Sequence, residues 1–164
     1  MTHKTRAILA LVLALSSIAA VAQFLPRHIY DETADAHAQI RNALATAARQ
    51  HKRVILDFGG NWCGDCQVLD IYFHRAPNDQ LLSSSYVLVD IDIGRYDHNL
   101  DLAAKYAVPV QTGVPALAVL DAQGRVLYSQ KNREFEKMSQ MDPNSVTTFL
   151  QHWKPNTTAH HGGQ

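Results

Sequence analysis

The sequence has only two cysteines, no excess charge of either sign and no apolar run long enough for repeated membrane crossing. Among its 164 residues, 15 basic side chains balance 15 acidic ones. This balance gives no basic surface of the kind that binds nucleic acid, so no nucleic-acid partner is expected. Two cysteines can form neither a disulfide framework nor a four-cysteine zinc site. The composition therefore favours one ordinary globular domain.

The first 22 residues have the organisation of a secretory signal. His3, Lys4 and Arg6 form a basic start, and an apolar stretch follows over residues 7–21. Ala20-Val21-Ala22 is a small-residue cleavage site. We therefore expect residues 1–22 to be removed and the protein to be exported, to the periplasm of a bacterium. The alternative is an uncleaved signal that anchors the chain in the membrane.

Apolar periodicity and turn residues predict alternating helices and strands in the rest of the chain. Strands separated by helices favour parallel neighbours, and a final hairpin adds an antiparallel strand. The sequence thus predicts an α/β fold with a central mixed sheet of about four strands flanked by helices. The predicted segments are a linker and N-terminal helix over 23–52, with the helix capped by Asp31 or Thr33; strands Arg53–Phe58, Tyr86–Asp92, Ala116–Leu120 and Val126–Ser129; a helix Trp62–His74 capped by Asn61; a helical turn Asn78–Ser84; a helix Asn99–Tyr106; an irregular segment Arg133–Met141; a helix from Asp142-Pro143 to Trp153; and a flexible tail over 154–164.

Cys63-Gly64-Asp65-Cys66 comes directly after a predicted strand and opens a predicted helix. Free backbone N–H groups and the positive end of the helix favour an anion, which lowers the pKa of the Cys63 thiol. Cys66 lies one turn further inside, where we expect it to be more buried and protonated. This arrangement predicts thiol–disulfide exchange, in which Cys63 attacks a substrate disulfide and Cys66 resolves the mixed disulfide.

Two other roles for the cysteine pair remain open, a static disulfide and half of a metal site. The pair supplies only two ligands, and the nearest histidine, His74, lies at the far end of the same predicted helix. A disulfide that closes so short a loop restricts the unfolded chain little, which disfavours a purely structural bond. We therefore expect redox chemistry with no metal and no other cofactor.

From Arg53 to Trp153 the sequence resembles the thioredoxin superfamily. The resemblance implies a thioredoxin-like domain over residues 53–153. It rests on Val54–Phe58, Trp62–Cys66, Gly113-Val114-Pro115 and the turn at Gly124.

The resemblance also implies a catalytic role for Asp57. This residue matches the family's buried strand acid, which accepts the proton of the second cysteine. Burial raises the pKa of a carboxyl group and suits it to act as a base near neutral pH. The alternative is that Asp57 lies on an exposed face of its strand.

Further residues of the matching motifs are expected to contact substrate. Pro115 matches a proline that is cis in the family and faces the cysteines, so the backbone of Val114 would pair with an extended substrate peptide. Trp62 would form an apolar wall beside the sulfurs, the alternative being plain core filling. Gly64 and Asp65, between the cysteines, complete the expected contact set.

The sequence departs from the usual thioredoxin pattern at several positions. Gly59-Gly60 stands where Trp-Ala is common, Asp65 where proline is common, Gln67 where lysine is common and Ala116 where threonine is common. The stretch 106–115 is a few residues longer than usual. These departures favour an exported thioredoxin-like protein over a housekeeping thioredoxin.

The function predicted from the sequence is that of a monomeric thiol–disulfide oxidoreductase. The Asp65 carboxylate would disfavour the Cys63 thiolate, so we expect a weak oxidant that works as a reductase. Its partners would be disulfide-containing proteins or thiol substrates, with a membrane electron donor to supply reducing equivalents. The alternative is a thioredoxin-fold binding or scaffold module without redox turnover.

Overall fold

The computed structural model describes residues 27–156, so the predicted signal and residues 157–164 lie outside the described part. The predicted α/β class is confirmed, and each predicted strand is present. The elements are α1 (Ala36–Gln50), β1 (Arg53–Gly59), α2 (Gly64–Phe73), α3 (Asn78–Ser85), β2 (Tyr86–Asp92), α4 (Leu100–Lys105), β3 (Ala116–Leu120), β4 (Val126–Ser129) and α5 (Asn144–Trp153), with short 3-10 turns at Val110–Thr112 and Met138–Gln140.

The four strands form one mixed sheet in the order β2-β1-β3-β4. β1 runs parallel to β2 and antiparallel to β3, and β3 pairs antiparallel with β4. Because β1 lies between two partners, every one of its residues after Arg53 is buried. The chain leaves this central strand directly into the segment that carries the cysteines, so the motif follows a strand that is paired on both sides.

Alternate residues of β1 face two separate hydrophobic clusters, as the period of two in a strand requires. Val54, Leu56 and Phe58 are fully buried against α1 and α4. Ile55 faces the opposite cluster, which contains buried residues of α2, α3 and α5. Each fully buried aliphatic side chain contributes about 1.5–3 kcal/mol. By the same alternation, Asp57 lies on the face that α2 covers.

The predicted N-caps of the first two helices, Asp31 or Thr33 for α1 and Asn61 for α2, were wrong. The N-cap of α1 is Asp35, whose carboxylate accepts a hydrogen bond from the Ala38 N–H at 2.9 Å. Asp31 cannot take that role because its carboxylate accepts hydrogen bonds from the backbone and hydroxyl of Thr33 in a local turn.

The N-cap of α2 is Cys63 and not Asn61. The side-chain oxygen of Asn61 accepts hydrogen bonds from the backbone N–H groups of Ile29 and Tyr30, at 2.9 and 3.0 Å. Asn61 therefore fixes the segment that precedes α1, while a sulfur atom caps the helix that follows.

Two stretches predicted as linker and irregular segment contribute to the core. Tyr30, in the predicted linker, is fully buried. Phe135 and Met138 are buried in the predicted irregular segment, and a 3-10 turn begins at Met138. The last helix also begins one residue later than predicted, with Pro143 as its N-cap. Neither stretch has a periodic apolar pattern, but each places a large buried side chain in the core.

No helix within residues 27–156 combines the length and apolar composition that a membrane span requires.

Candidate active site

Cys63 and Cys66 lie at the N-terminal end of α2 and are joined by a disulfide bond. Cys66 has no exposed surface, whereas Cys63 is 6% exposed, which is the order predicted from their positions in the helix. The backbone N–H of Cys66 donates a hydrogen bond to Cys63 Sγ at 3.1 Å. A donor aimed at this sulfur stabilises negative charge on it once the disulfide is reduced.

The loop before β3 brings the backbone of Val114 against the disulfide. The carbonyl oxygen of Val114 lies 3.5 Å from Cys63 Sγ, and the Val114–Pro115 peptide bond is cis. Gln130, which the sequence did not mark, fixes this loop from the buried side. Its amide group donates to the Pro115 carbonyl at 3.3 Å and accepts from the Leu117 N–H at 3.2 Å. The predicted residues Val114 and Pro115 are therefore brought together with the cysteines.

Trp62 lies on the surface beside the cysteines and is 39% exposed, so its interpretation as core filling was wrong. Its indole N–H donates a hydrogen bond to the Gly94 carbonyl at 2.6 Å. The Arg95 guanidinium lies over the indole ring at 5.1 Å, and the ring of Tyr96 packs against it at 5.5 Å. These contacts hold the indole in one orientation, and it forms a rigid wall of the site.

An open groove of about 510 Å³ adjoins Trp62. Carboxylates of Glu32, Asp92 and Asp97 line it together with Arg95 and the imidazole of His98. The groove therefore presents polar groups of both signs beside Trp62.

The two residues between the cysteines have different surroundings. Asp65 Oδ1 accepts a hydrogen bond from the Ser139 N–H at 2.9 Å, which fixes the carboxylate near the start of α2. Gly64 is open to its surroundings, since a Cβ atom there would have no heavy atom within 4 Å. Gly64 is also exposed to solvent.

Asp57 is buried, with 2% of its surface exposed, so its alternative placement on an exposed face was wrong. Its Oδ2 accepts a hydrogen bond from the Tyr30 hydroxyl at 3.1 Å. Burial, followed by the negative charge of Asp90, raises the pKa of Asp57 well above its usual range, and the Tyr30 hydrogen bond opposes that rise. A carboxyl group whose pKa is raised binds a proton more readily than an exposed aspartate, which suits a proton acceptor.

Two acidic residues that sequence reasoning did not place in the site lie near Asp57. Asp90 is its direct partner on β2 in the parallel register. Burial, then the charge of Asp70, raises the pKa of Asp90 to about 7. Asp70 on α2 is buried, forms an ion pair with Arg27 at 2.6 Å and lies 2.9 Å from His74 Nδ1. Asp57, Asp70 and Asp90 thus form a group of three neighbouring acids.

Comparison with known proteins gives a consistent set of similarities. A family model described as thioredoxin-like matches residues 35–122. The crystal structure of a disulphide isomerase from Xylella fastidiosa Temecula1 has a TM-score of 0.74 and 37% sequence identity, covering 78% of this chain and 98% of that chain. A thioredoxin from Thermus thermophilus has the same fold at 16% identity, with a TM-score of 0.50 over 78% of this chain and 87% of that chain.

A curated relative shares the same region at lower identity. The thiol:disulfide interchange protein DsbD of Colwellia psychrerythraea is 26% identical over 114 residues, which is 68% of this chain. The match spans only 18% of the relative's own length.

Proposed function

Since this chain belongs to the thioredoxin-like family and carries the redox disulfide of a thiol–disulfide oxidoreductase, we propose that it reduces disulfide bonds of exported proteins or of a carrier thiol. The observation that carries the proposal is the position of the disulfide. Cys63 caps α2 beside the Val114 carbonyl and is 6% exposed, whereas Cys66 has no exposed surface. A substrate sulfur can therefore reach Cys63 and not Cys66.

The reaction begins from the reduced protein. The Cys63 thiolate attacks one sulfur of a substrate disulfide, the substrate S–S bond breaks, and the first substrate sulfur leaves as a thiolate. Cys66 then gives its proton to Asp57, and its thiolate attacks Cys63 Sγ. The mixed disulfide breaks, the second substrate thiolate leaves and takes up a proton, and the disulfide between Cys63 and Cys66 forms. Two electrons pass from the protein to the substrate.

Substrate binding in this proposal combines backbone pairing with an aromatic wall. An extended peptide can pair with the backbone of Val114, whose carbonyl already points at the reacting sulfur. Trp62 and the adjoining groove contact the residues on the other side of the substrate cysteine. Gly64 leaves room for the approach, and Pro115 shapes the loop.

We place the protein in an exported compartment, the periplasm, on the strength of the basic and apolar segments in residues 1–22. A reductase there needs a donor, so we propose that a dithiol of a membrane electron donor reduces the disulfide between Cys63 and Cys66 after each cycle. The similarity to DsbD, whose name describes thiol:disulfide interchange, supports a place in such an exchange series. One copy of the chain supplies every proposed site residue, which supports a monomer.

Trapping with Cys66→Ala tests the proposal, since this variant can form the mixed disulfide and cannot resolve it. We expect covalent partners that dithiothreitol releases, and none from Cys63→Ala. Insulin reduction by the mature protein with dithiothreitol gives a second readout, and we expect acceleration that both substitutions abolish. If neither variant traps a protein and insulin reduction is not accelerated, the chain is a binding or scaffold module instead.

A further inference from the structure

We propose that Tyr30 is a positioning residue for the redox reaction, because its hydroxyl orients the Asp57 carboxylate that receives the Cys66 proton. The proposal rests on the proposed function, since it assigns a role within the same reaction. Tyr30 belongs to the segment before α1 and lies outside the motifs that identify the cysteine site.

The position of Tyr30 is fixed by hydrogen bonds to its backbone and to its side-chain hydroxyl. The Tyr30 N–H donates to Asn61 Oδ1 at 3.0 Å, and the Asn61 amide donates back to the Tyr30 carbonyl at 2.9 Å. The ring is fully buried, and its hydroxyl donates to Asp57 Oδ2 at 3.1 Å. Two hydrogen bonds to the Asn61 side chain thus hold the Tyr30 backbone in place, and from there the Tyr30 hydroxyl reaches Asp57.

Gly59 makes room for this arrangement beside the cysteine that must lose a proton. A Cβ atom on Gly59 would lie 2.6 Å from Tyr30 Cζ and 2.9 Å from Cys66 Sγ. The hydroxyl end of Tyr30 and the Cys66 sulfur are therefore close neighbours across the glycine. Gly59 is also two residues after Asp57 on β1, so both face the same side of the sheet. The glycine lets tyrosine, carboxylate and sulfur occupy one small space.

The groups that face Asp57 from each neighbouring element have opposite effects on it. β2 presents the carboxyl of Asp90, and α2 presents that of Asp70. Both negative charges disfavour a charged Asp57. β3 presents Leu117, which is apolar and fully buried. Among the residues that the structure describes, Tyr30 is the one whose side chain donates a hydrogen bond to Asp57.

Two further polar side chains in this region contact Asp70. The Arg27 guanidinium pairs with its carboxylate and partly offsets its charge, and His74 Nδ1 lies 2.9 Å from the same carboxylate. Their contacts are directed at Asp70 and not at Asp57. The Tyr30 hydroxyl, in contrast, donates directly to Asp57. This hydrogen bond stabilises the carboxylate form of Asp57, which is the form that can accept a proton.

The proposed step moves one proton and leaves Tyr30 unchanged. Asp57 Oδ2 is held by Tyr30, whereas Oδ1 is buried without a hydrogen-bond partner among residues 27–156. The S–H bond of Cys66 breaks and an O–H bond forms at Oδ1. The sulfur keeps the electron pair for its attack on Cys63, and Tyr30 keeps its own proton and its hydrogen bond to Oδ2. Without the hydroxyl, Asp57 would be a weaker acid and its carboxyl group less well oriented.

Tyr30→Phe tests the proposal with Tyr86→Phe as its matched control. Tyr86 is also a buried tyrosine, and its hydroxyl donates to the Leu150 carbonyl at 2.6 Å, away from the cysteines. We expect Tyr30→Phe to move the Asp57 titration, followed by carboxyl-carbon NMR, upward by about one pH unit. The acid limb of the rate of insulin reduction should move in the same direction. Tyr86→Phe should lower thermal stability comparably and leave both curves in place.

Asp90→Asn and Asp57→Asn complete the test. Asp90→Asn removes a neighbouring acid, so it should move the Asp57 titration downward, opposite to Tyr30→Phe. In an Asp57→Asn background, Tyr30→Phe should no longer alter the pH profile. Unmoved curves in Tyr30→Phe, with the stability loss of the control, would overturn the proposal. Unaltered turnover in Asp57→Asn would instead remove Asp57 from the proposed reaction, and the NMR titration keeps these two failures distinct.

Discussion

Asp65 Oδ1 accepts a hydrogen bond at 2.9 Å from the backbone N–H of Ser139, a residue 74 positions away in the sequence. The bond joins the first turn of α2 to the 3-10 turn at Met138–Gln140. It holds a negative charge at a fixed place between the two cysteines. Charge at this place acts on the Cys63 thiolate and therefore on the balance between dithiol and disulfide.

Replacing Asp65 should shift the reduction potential of the cysteine pair. Asp65→His removes a negative charge and introduces a group that can be positive, which stabilises the thiolate and makes the disulfide a stronger oxidant. We expect a change of about 30 mV or more toward oxidising values, measured by equilibration with glutathione buffers. Asp65→Asn should give a smaller shift in the same direction. Potentials equal to that of the unaltered protein in both variants would show that this carboxylate does not set the direction of the reaction.

Cys63 should react with alkylating agents before Cys66 in the reduced protein. It is the partly exposed sulfur, and the Cys66 N–H is aimed at it. Iodoacetamide at mildly acidic pH, followed by peptide mass spectrometry, should label Cys63 at least about tenfold faster. Faster labelling of Cys66 would reverse the roles assigned to the two cysteines.

Asp57→Asn should slow disulfide reduction at neutral pH while the fold persists. The substitution removes the proposed proton acceptor, and positioned bases contribute on the order of 100-fold or more to such steps. It also removes a buried carboxyl group whose pKa is raised mainly by burial, so thermal stability should be equal or higher. Stopped-flow reduction of insulin across the pH range gives the rate, and thermal unfolding gives the stability. Normal rates at every pH would contradict the assignment.

The strand, the helix and the cysteines of this site could be predicted from the sequence because each depends on local pattern. Val54–Phe58 is an almost continuous apolar run, as in a strand with both faces buried, and the cysteine motif follows it directly. The order of burial of Cys63 and Cys66 follows from their positions in one helical turn. These features involve residues close together in the chain.

The environment of Asp57 could not be predicted because it depends on distant contacts. Asp90 lies beside Asp57 because of the register between β1 and β2, and the sequences of two parallel strands do not show their register. Tyr30 reaches Asp57 across 27 residues from a stretch with no periodic pattern. The one local signal was Gly59, which lacks the side chain that would otherwise occupy the space of the tyrosine ring.

Gly59→Ala should destabilise the protein, whereas Gly64→Ala should not. A Cβ atom at Gly59 would be 2.6 Å from Tyr30 Cζ and 2.9 Å from Cys66 Sγ, and both of these atoms are enclosed. Overpacking of this kind costs about 1–3 kcal/mol. Gly64 has open space at the same distance and begins α2, so alanine is expected to be neutral or slightly stabilising there. Urea unfolding of both variants measures the difference, and equal stabilities would show that the space around Gly59 adapts.

Asp90 should make the protein less stable as the pH rises above about 4. Burial is the main reason that the pKa of Asp90 rises to about 7, with the charge of Asp70 second. Between the ordinary pKa of an aspartate and this value, the folded protein holds a proton that the unfolded chain has released. Unfolding then releases a proton, so the free energy of unfolding falls as the pH rises through this window and levels off above about 7.

Asp90→Asn removes this titration. The substitution should therefore increase the free energy of unfolding more at pH 8 than at pH 4, and the difference should be on the order of 1 to 3 kcal/mol. Urea unfolding at both pH values measures this difference, and Asp79→Asn, at an exposed position on α3, serves as the control. An equal effect of Asp90→Asn at pH 4 and pH 8 would show that the carboxyl of Asp90 ionises as freely in the folded protein as in the unfolded chain.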